Sequence, residues 1–161
     1  MESRFVRHLV ILFSTGFYSG YTPVAPGTAG TVVAVPLYLV MSRLPGFSYG
    51  FAVVAFLCMS WWFSRAAELI FLKKDSRRIV IDEMAGFLVT MGFLPPAPVY
   101  LLSGFVLFRF FDILKPFPIR RLEALKGGYG VVADDIMAGL YSHALLQGSI
   151  LLFQGKPSIT W

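Results

Sequence analysis

Five of the nine acidic residues in this 161-residue chain form three groups: Asp82-Glu83, Asp112 and Asp134-Asp135. Each adjacent pair stands just before a small-residue step, in Asp82-Glu83-Met84-Ala85-Gly86 and in Asp134-Asp135-Ile136-Met137-Ala138-Gly139. One acid at such a point reads as a helix cap. Two neighbours go beyond capping, because they repel unless a cation or a basic group lies between them. The chain has only two His and one Cys. Five carboxylates with so few softer donors select a hard cation of the Mg²⁺ type. Arg109, Asp112 and Lys115 follow one another at i, i+3 and i+6, along one helix face. That spacing suits a surface pair with Lys115 snorkelling. It equally suits Asp112 joining the metal site while Arg109 and Lys115 hold an anion. Arg120 and Arg121 come just after Pro116 and Pro118, and basic groups beside a carboxylate cluster fit a phosphate bridged to Mg²⁺. Thr28, in Pro26-Gly27-Thr28-Ala29-Gly30, offers a hydroxyl beside the free N–H groups of a helix start. Gly127-Gly128-Tyr129-Gly130 is either a second such loop or a flexible turn.

These groups have to be positioned by an apolar scaffold. The chain is 57% hydrophobic and 14% charged, with a mean hydropathy of +0.70. Leu9–Ser42, Leu44–Ser64, Met84–Phe108 and Ile136–Gly155 contain no Asp, Glu, Lys or Arg. Apolar runs of about 18 residues or more match a bilayer core of roughly 30 Å. Disorder, collagen and coiled coil are excluded, and an all-α integral membrane bundle is expected over a single domain, residues 1–161. Pro95-Pro96-Ala97-Pro98 breaks the third run, which predicts a hairpin of helices near Ile79–Leu94 and Val99–Leu114. Gly30–Met41 and Phe47–Ser64 form another around Arg43-Leu44-Pro45-Gly46. With a last helix at about Asp134–Phe153, the expectation is about five short or tilted transmembrane helices. An interfacial helix at Phe5–Phe13 precedes them, and Gly16–Gly30 is irregular. The clusters Arg65–Glu83 and Arg109–Asp135 each hold five Lys or Arg, so both face the cytoplasm by the positive-inside rule. Gly86 and Gly139 lie one turn beyond Asp82 and Asp135, on their faces, and permit close helix packing.

The net charge of +5 flanks apolar runs, which fits anionic lipid rather than nucleic acid. Lys73-Lys74-Asp75-Ser76-Arg77-Arg78 reads as a solvated loop against such lipid. Cys58 reads as an inert buried thiol. Lys115, before Pro116, is expected to be extended. Packed Gly and Ala faces make a homodimer one expected assembly. Several chemistries are missing their signatures: no Walker loop, no Cys-x₅-Arg, no Asp-x-Asp-x-Thr, no histidine nucleophile motif and no CDP-alcohol transferase motif. Metal-assisted attack on phosphorus survives, by water or by an aspartate.

Four blocks then carry a resemblance: TPVAPGTAGT (Thr22–Thr31), IDEMAG (Ile81–Gly86), FRFFDILKPFPIRRLE (Phe108–Glu123) and GGYGVVADDIMAGL (Gly127–Leu140). In this order they resemble the phosphatidylglycerophosphatase A family over nearly the whole chain, with Thr31 where Ser is expected. The resemblance implies an all-α, Mg²⁺-dependent enzyme of the bacterial inner membrane that converts phosphatidylglycerophosphate to phosphatidylglycerol at the cytoplasmic face. Asp82, Glu83, Asp134 and Asp135 are then the expected metal ligands, with Asp112 as a further ligand or water-orienting base. Arg109, Lys115, Arg120 and Thr28 are expected on the phosphate. Two alternatives stand beside this reading. One is another lipid headgroup phosphatase or phosphotransferase. The other is a non-enzymatic transporter subunit, whose acids should be spread through the membrane depth.

Overall fold

The computed structural model describes residues 4–123 and 129–154. Among these residues there are seven α-helices and no strand: α1 (Arg4–Ser14), α2 (Pro26–Met41), α3 (Gly46–Phe71), α4 (Ile81–Thr90), α5 (Pro98–Leu114), α6 (Ile119–Glu123) and α7 (Tyr129–Gln154). Both predicted hairpins are present, with different boundaries. Helix α2 begins at Pro26 rather than Gly30. Proline suits a first helical turn, where its missing N–H is no loss, and Ala25 turns the chain in the left-handed region at φ 49°. Gly27 and Thr28 are therefore in the first turn of a helix, not in an irregular loop. Helix α7 starts at Tyr129, so both its acids lie inside it. Gly127 and Gly128 lie outside the described residues.

The largest departure is α4. A span of Ile79–Leu94 was expected, yet the helix is 10 residues long. At about 1.5 Å per residue it covers roughly 15 Å, about half of a bilayer core. A helix that stops in an apolar interior leaves carbonyls without partners. Side chains from other helices supply them. Tyr49 Oη donates to the Leu88 carbonyl at 2.8 Å and Tyr38 Oη to that of Leu94 at 2.6 Å. His143 Nδ1 meets the Thr90 carbonyl at 3.1 Å, so the ring nitrogen donates there.

Helix α4 is the centre of the packing and touches α2, α3, α5 and above all α7. Phe87 and Leu88 are fully buried with Tyr38, Met91 and Phe108. Where α4 crosses α7 the backbones meet. A Cβ at Gly139 would lie 2.5 Å from the Gly86 carbonyl oxygen, and one at Gly86 2.7 Å from that of Asp135. The small-residue faces that suggested a dimer are used within the chain.

The exterior is apolar. Phe47, Phe51, Val54, Trp62 and Leu69 of α3 are exposed, as are Val99, Leu102, Val106 and Ile113 of α5. Cys58 is on this outer face rather than buried. Among the described residues, α3 is the one helix long and apolar enough to cross a membrane, with 26 residues and an 18-residue stretch of mean hydropathy 1.4. Helices α2 and α5 are shorter, at 16 and 17 residues.

The glycine contact yields a paired test. Gly139→Ala forces α4 and α7 apart and should cost about 1–3 kcal/mol, as overpacking does. Gly148→Ala, where a Cβ meets nothing within 4 Å, should hold or raise stability through helix propensity. Thermal unfolding in detergent separates the two. Equal midpoints would mean that the crossing is not tight.

Candidate active site

No side chain caps the start of α4 at Val80. Asp82 and Glu83 occupy the first turn of that helix, and Asp134 and Asp135 the second turn of α7. Asp82 Oδ1 accepts from the Glu83 N–H at 3.1 Å and so serves the start of α4, but capping does not account for Glu83, Asp134 or Asp135. The Gly86–Gly139 crossing lies one turn away and swings them together. Asp82, Glu83 and Asp135 each bring a carboxylate oxygen within 4.8 Å of the other two. Asp82, Asp134 and Asp135 are only 4% exposed.

Basic side chains take the remaining acids. Lys115 Nζ is 2.6 Å from Asp134 Oδ2 and 3.2 Å from Glu123 Oε1. Arg109 Nη1 is 2.5 Å from Asp112 Oδ2. Burial favours the neutral form of Lys115, but the hydrogen bonds and charges of Asp134 and Glu123 outweigh it and hold the ammonium protonated far above its ordinary range. Asp112 stands near enough for its charge to bear on Glu83, Asp134 and Asp135. Among the described residues, Asp82, Glu83 and Asp135 form no ion pair. Glu83 Oε2, Asp134 Oδ1 and Asp135 Oδ1 are buried without a hydrogen-bond partner. Buried acceptors of this kind are costly unless something donates to them. An oxygen-seeking divalent cation fits that donor set, and the residues present therefore suit the expected metal class.

The site opens into a cavity of about 600 Å³, walled by Ala25–Gly27, Glu83, Arg109, Asp112 and Lys115. Gly27 is where its lack of a side chain matters most. A Cβ there would run into the Glu83 carboxylate and the Arg109 guanidinium, so α2 can approach them only as glycine. Lys115 is left-handed, at φ 45° and ψ 60°, not extended as expected. Proline disfavours the right-handed helix before it, and the left-handed region ends α5 equally well. Its ammonium is thereby turned back onto α7 and α6.

Thr28 and Arg120 are not in the cavity wall, and of the four expected metal ligands Glu83 lines it while Asp82, Asp134 and Asp135 lie behind. Arg120 is exposed on α6, and Arg121 sits 4.9 Å over the Phe117 ring. Three residues that sequence reading left to lipid contact, Lys73, Asp75 and Arg77, do line the cavity. Their only local signal is the density of charge between Lys73 and Arg78. Glu123 and Gly27 were also missed as individual residues, although both lie in the motif blocks.

Residues 12–150 match the family described as Phosphatidylglycerophosphatase A. The chain belongs to the phosphatidylglycerophosphatase A family. Its relatives include proteins named phosphatidylglycerophosphatase A in Escherichia coli and Haemophilus influenzae, each 35% identical. The alignments cover 84% and 81% of this chain, and 80% and 82% of theirs. A Bacteroides thetaiotaomicron protein with a provisional phosphatidylinositol-3-phosphatase name is 37% identical over 86% of this chain and 91% of its own. No solved structure matches significantly. Membership of the phosphatidylglycerophosphatase A family makes the protein an enzyme, a phosphoric monoester hydrolase.

The position of Lys115, between the acids and the cavity, predicts a large effect of its removal. Lys115→Ala should lower the rate of phosphate release by about 10²–10³, as loss of a preorganised donor does. Arg121→Ala should change little. Kinetics in detergent micelles, at matched circular dichroism, compare them. A larger loss for Arg121→Ala would put the phosphate on the α6 side of the chain.

Proposed function

We propose that the protein is an Mg²⁺-dependent lipid phosphatase, one domain over residues 1–161, that hydrolyses the phosphomonoester of phosphatidylglycerophosphate. The observation that carries this is the group of carboxylates without basic partners, Asp82, Glu83 and Asp135, which reaches through Glu83 a polar cavity that Arg109 and Lys115 also line. The transporter reading calls for acids spread through the membrane depth. Here they converge on one site next to cations, which favours chemistry.

In this reading Asp82, Glu83 and Asp135 hold the ion, with Asp134 behind them under the control of Lys115. When bound, Mg²⁺ supplies charge to the phosphoryl oxygens and lowers the pKa of water. Arg109 and Lys115 bring their charges to the monoester, which gathers negative charge as the bond to its leaving oxygen breaks. Asp112 is the group to orient water and take its proton. A new P–O bond forms to that water oxygen, the ester P–O bond breaks, and the proton ends on the freed glycerol hydroxyl. Among the described residues, Arg120, exposed on α6, and Thr28 make no hydrogen bond or ion pair with the site's acids or with Arg109 and Lys115, and take no direct part. Gly27 lets α2 close against Glu83 and Arg109, where any side chain would displace them.

The apolar exterior and the span α3 support a multi-pass location in the bacterial inner membrane, with α2, α5 and α7 as tilted or short crossings and α1 at the interface. Large exposed apolar surfaces of this kind mark lipid contact. Lipid tails then stay in the bilayer while the headgroup reaches the acids, on the cytoplasmic side where the basic clusters lie. A second reading, a different lipid phosphomonoester, is favoured by the phosphatidylinositol-3-phosphatase name of the Bacteroides relative. Both lipids join a phosphodiester to a phosphomonoester.

Purified protein in detergent should release phosphate from phosphatidylglycerophosphate, lose the activity in EDTA and regain it with Mg²⁺. Full activity after EDTA would remove the metal from the account. Release from phosphatidylinositol 3-phosphate alone would establish the second reading.

A further inference from the structure

The segment between α3 and α4 holds Lys73-Lys74-Asp75-Ser76-Arg77-Arg78 and lies outside the four motif blocks. Its course is fixed by contacts at alternate points. Leu72 ends α3 in the left-handed region, and the Lys73 N–H donates to the Glu68 carbonyl. The Asp75 N–H donates to Glu68 Oε1 at 2.9 Å. Ser76 is buried, the Ile79 N–H donates to its carbonyl, and the Val80 N–H donates to that of Ser14. Arg78 is held 5.0 Å over the Tyr21 ring and 5.8 Å over that of Phe71. Lys74 Nζ reaches the Glu123 carbonyl at 3.5 Å. With these neighbours committed elsewhere, Lys73, Asp75 and Arg77 face the cavity that Glu83, Arg109, Asp112 and Lys115 line from other sides.

The cations of this cavity fall into two classes. Arg109 and Lys115 are already paired with Asp112, Asp134 and Glu123. Lys73 and Arg77 form no ion pair among the described residues, and both are exposed. A second pair of cations in the cavity wall, from a different segment than Arg109 and Lys115 and offset in part by Asp75, is more than cleaving one phosphomonoester requires. It suits a second anion on the same molecule. A phosphodiester carries one negative charge on two free oxygens, which the guanidinium fork and an ammonium can share.

We propose that Lys73 and Arg77 form a subsite for the phosphodiester of the lipid, and so select substrates that carry a second phosphate beyond the one removed. This rests on the function proposed above. It makes the loop a specificity element rather than a general contact with anionic membrane.

The test compares phosphatidylglycerophosphate with phosphatidic acid of the same acyl chains, which has the phosphomonoester and no phosphodiester. The full-length protein is assayed with Mg²⁺ in neutral detergent micelles at a low and equal mole fraction of lipid, which keeps general attraction to an anionic surface small. Phosphatidic acid is read as substrate or as competitive inhibitor. Lys73→Met with Arg77→Gln keeps the side-chain stems and removes the charges, and Arg121→Ala serves as a control outside the cavity. The double variant should raise KM for phosphatidylglycerophosphate about tenfold, the scale of one or two charged hydrogen bonds. The loss should fall on KM rather than kcat and should shrink the preference over phosphatidic acid by the same factor. Lys73→Arg with Arg77→Lys should recover part of it, and Arg121→Ala should keep the wild-type preference. An unchanged KM, or an equal loss on both lipids, would overturn the subsite. Wild-type protein inactive on phosphatidylglycerophosphate would instead overturn the function on which it rests.

Discussion

Helices α4 and α7 touch backbone to backbone at Gly86 and Gly139, and the site follows from that contact. Helices that carry ordinary side chains at their crossing keep their axes about 8–10 Å apart. Glycine on both sides lets these two approach more closely. One turn before the crossing the same approach brings Asp82 and Glu83 against Asp135. Carboxylates gathered and buried in this way repel one another and lose their hydration. Arg109 and Lys115 relieve Asp112 and Asp134, and what remains is a concentrated negative site with unpartnered oxygens. The packing that stabilises the helix pair thus creates an electrostatic demand that a bound cation would meet.

The rest of the scaffold protects that arrangement. Helix α4 is too short to be a span, and it is held inside the fold by hydrogen bonds to its last turn from Tyr49 and His143 and by one from Tyr38 to Leu94 in the segment that follows. Its start is tied to α1 through Ser14 and Val80. The elements around it turn apolar residues outward, which inverts the usual placement of hydrophobic side chains. The polar groups are left one place to gather, at the end where the charged segments run.

Much of the site was legible in the chain because its signals are local. The acid pairs, the glycines one turn beyond them, and the i, i+3, i+6 spacing of Arg109, Asp112 and Lys115 depend only on helix periodicity. The hairpins were legible from Pro95-Pro96-Ala97-Pro98 and Pro45-Gly46. The start of α2 had a local signal too, proline at a first turn, which the count of glycines around it obscured. The early end of α4 had none. It depends on hydroxyls from α2 and α3 and a ring from α7 that no local pattern announces. The left-handed turn of Lys115 and the inward course of Lys73, Asp75 and Arg77 have the same origin. A dense run of charge looks the same in sequence whether water or a cavity receives it. The contacts of Arg78 with Tyr21, and of Asp75 with Glu68, are what settle the matter in three dimensions.

Direct metal binding tests, without reference to any substrate, whether these helices assemble a divalent-cation site from Asp82, Glu83 and Asp135. Protein stripped with EDTA can be titrated with Mn²⁺ while the spectrum of the free ion is followed by electron paramagnetic resonance. Saturable binding is predicted, displaced by Mg²⁺ and lost when Asp82→Asn and Asp135→Asn are combined in protein that keeps its helical circular dichroism. Absence of binding to the wild-type chain, or binding undiminished in the double variant, would contradict the account.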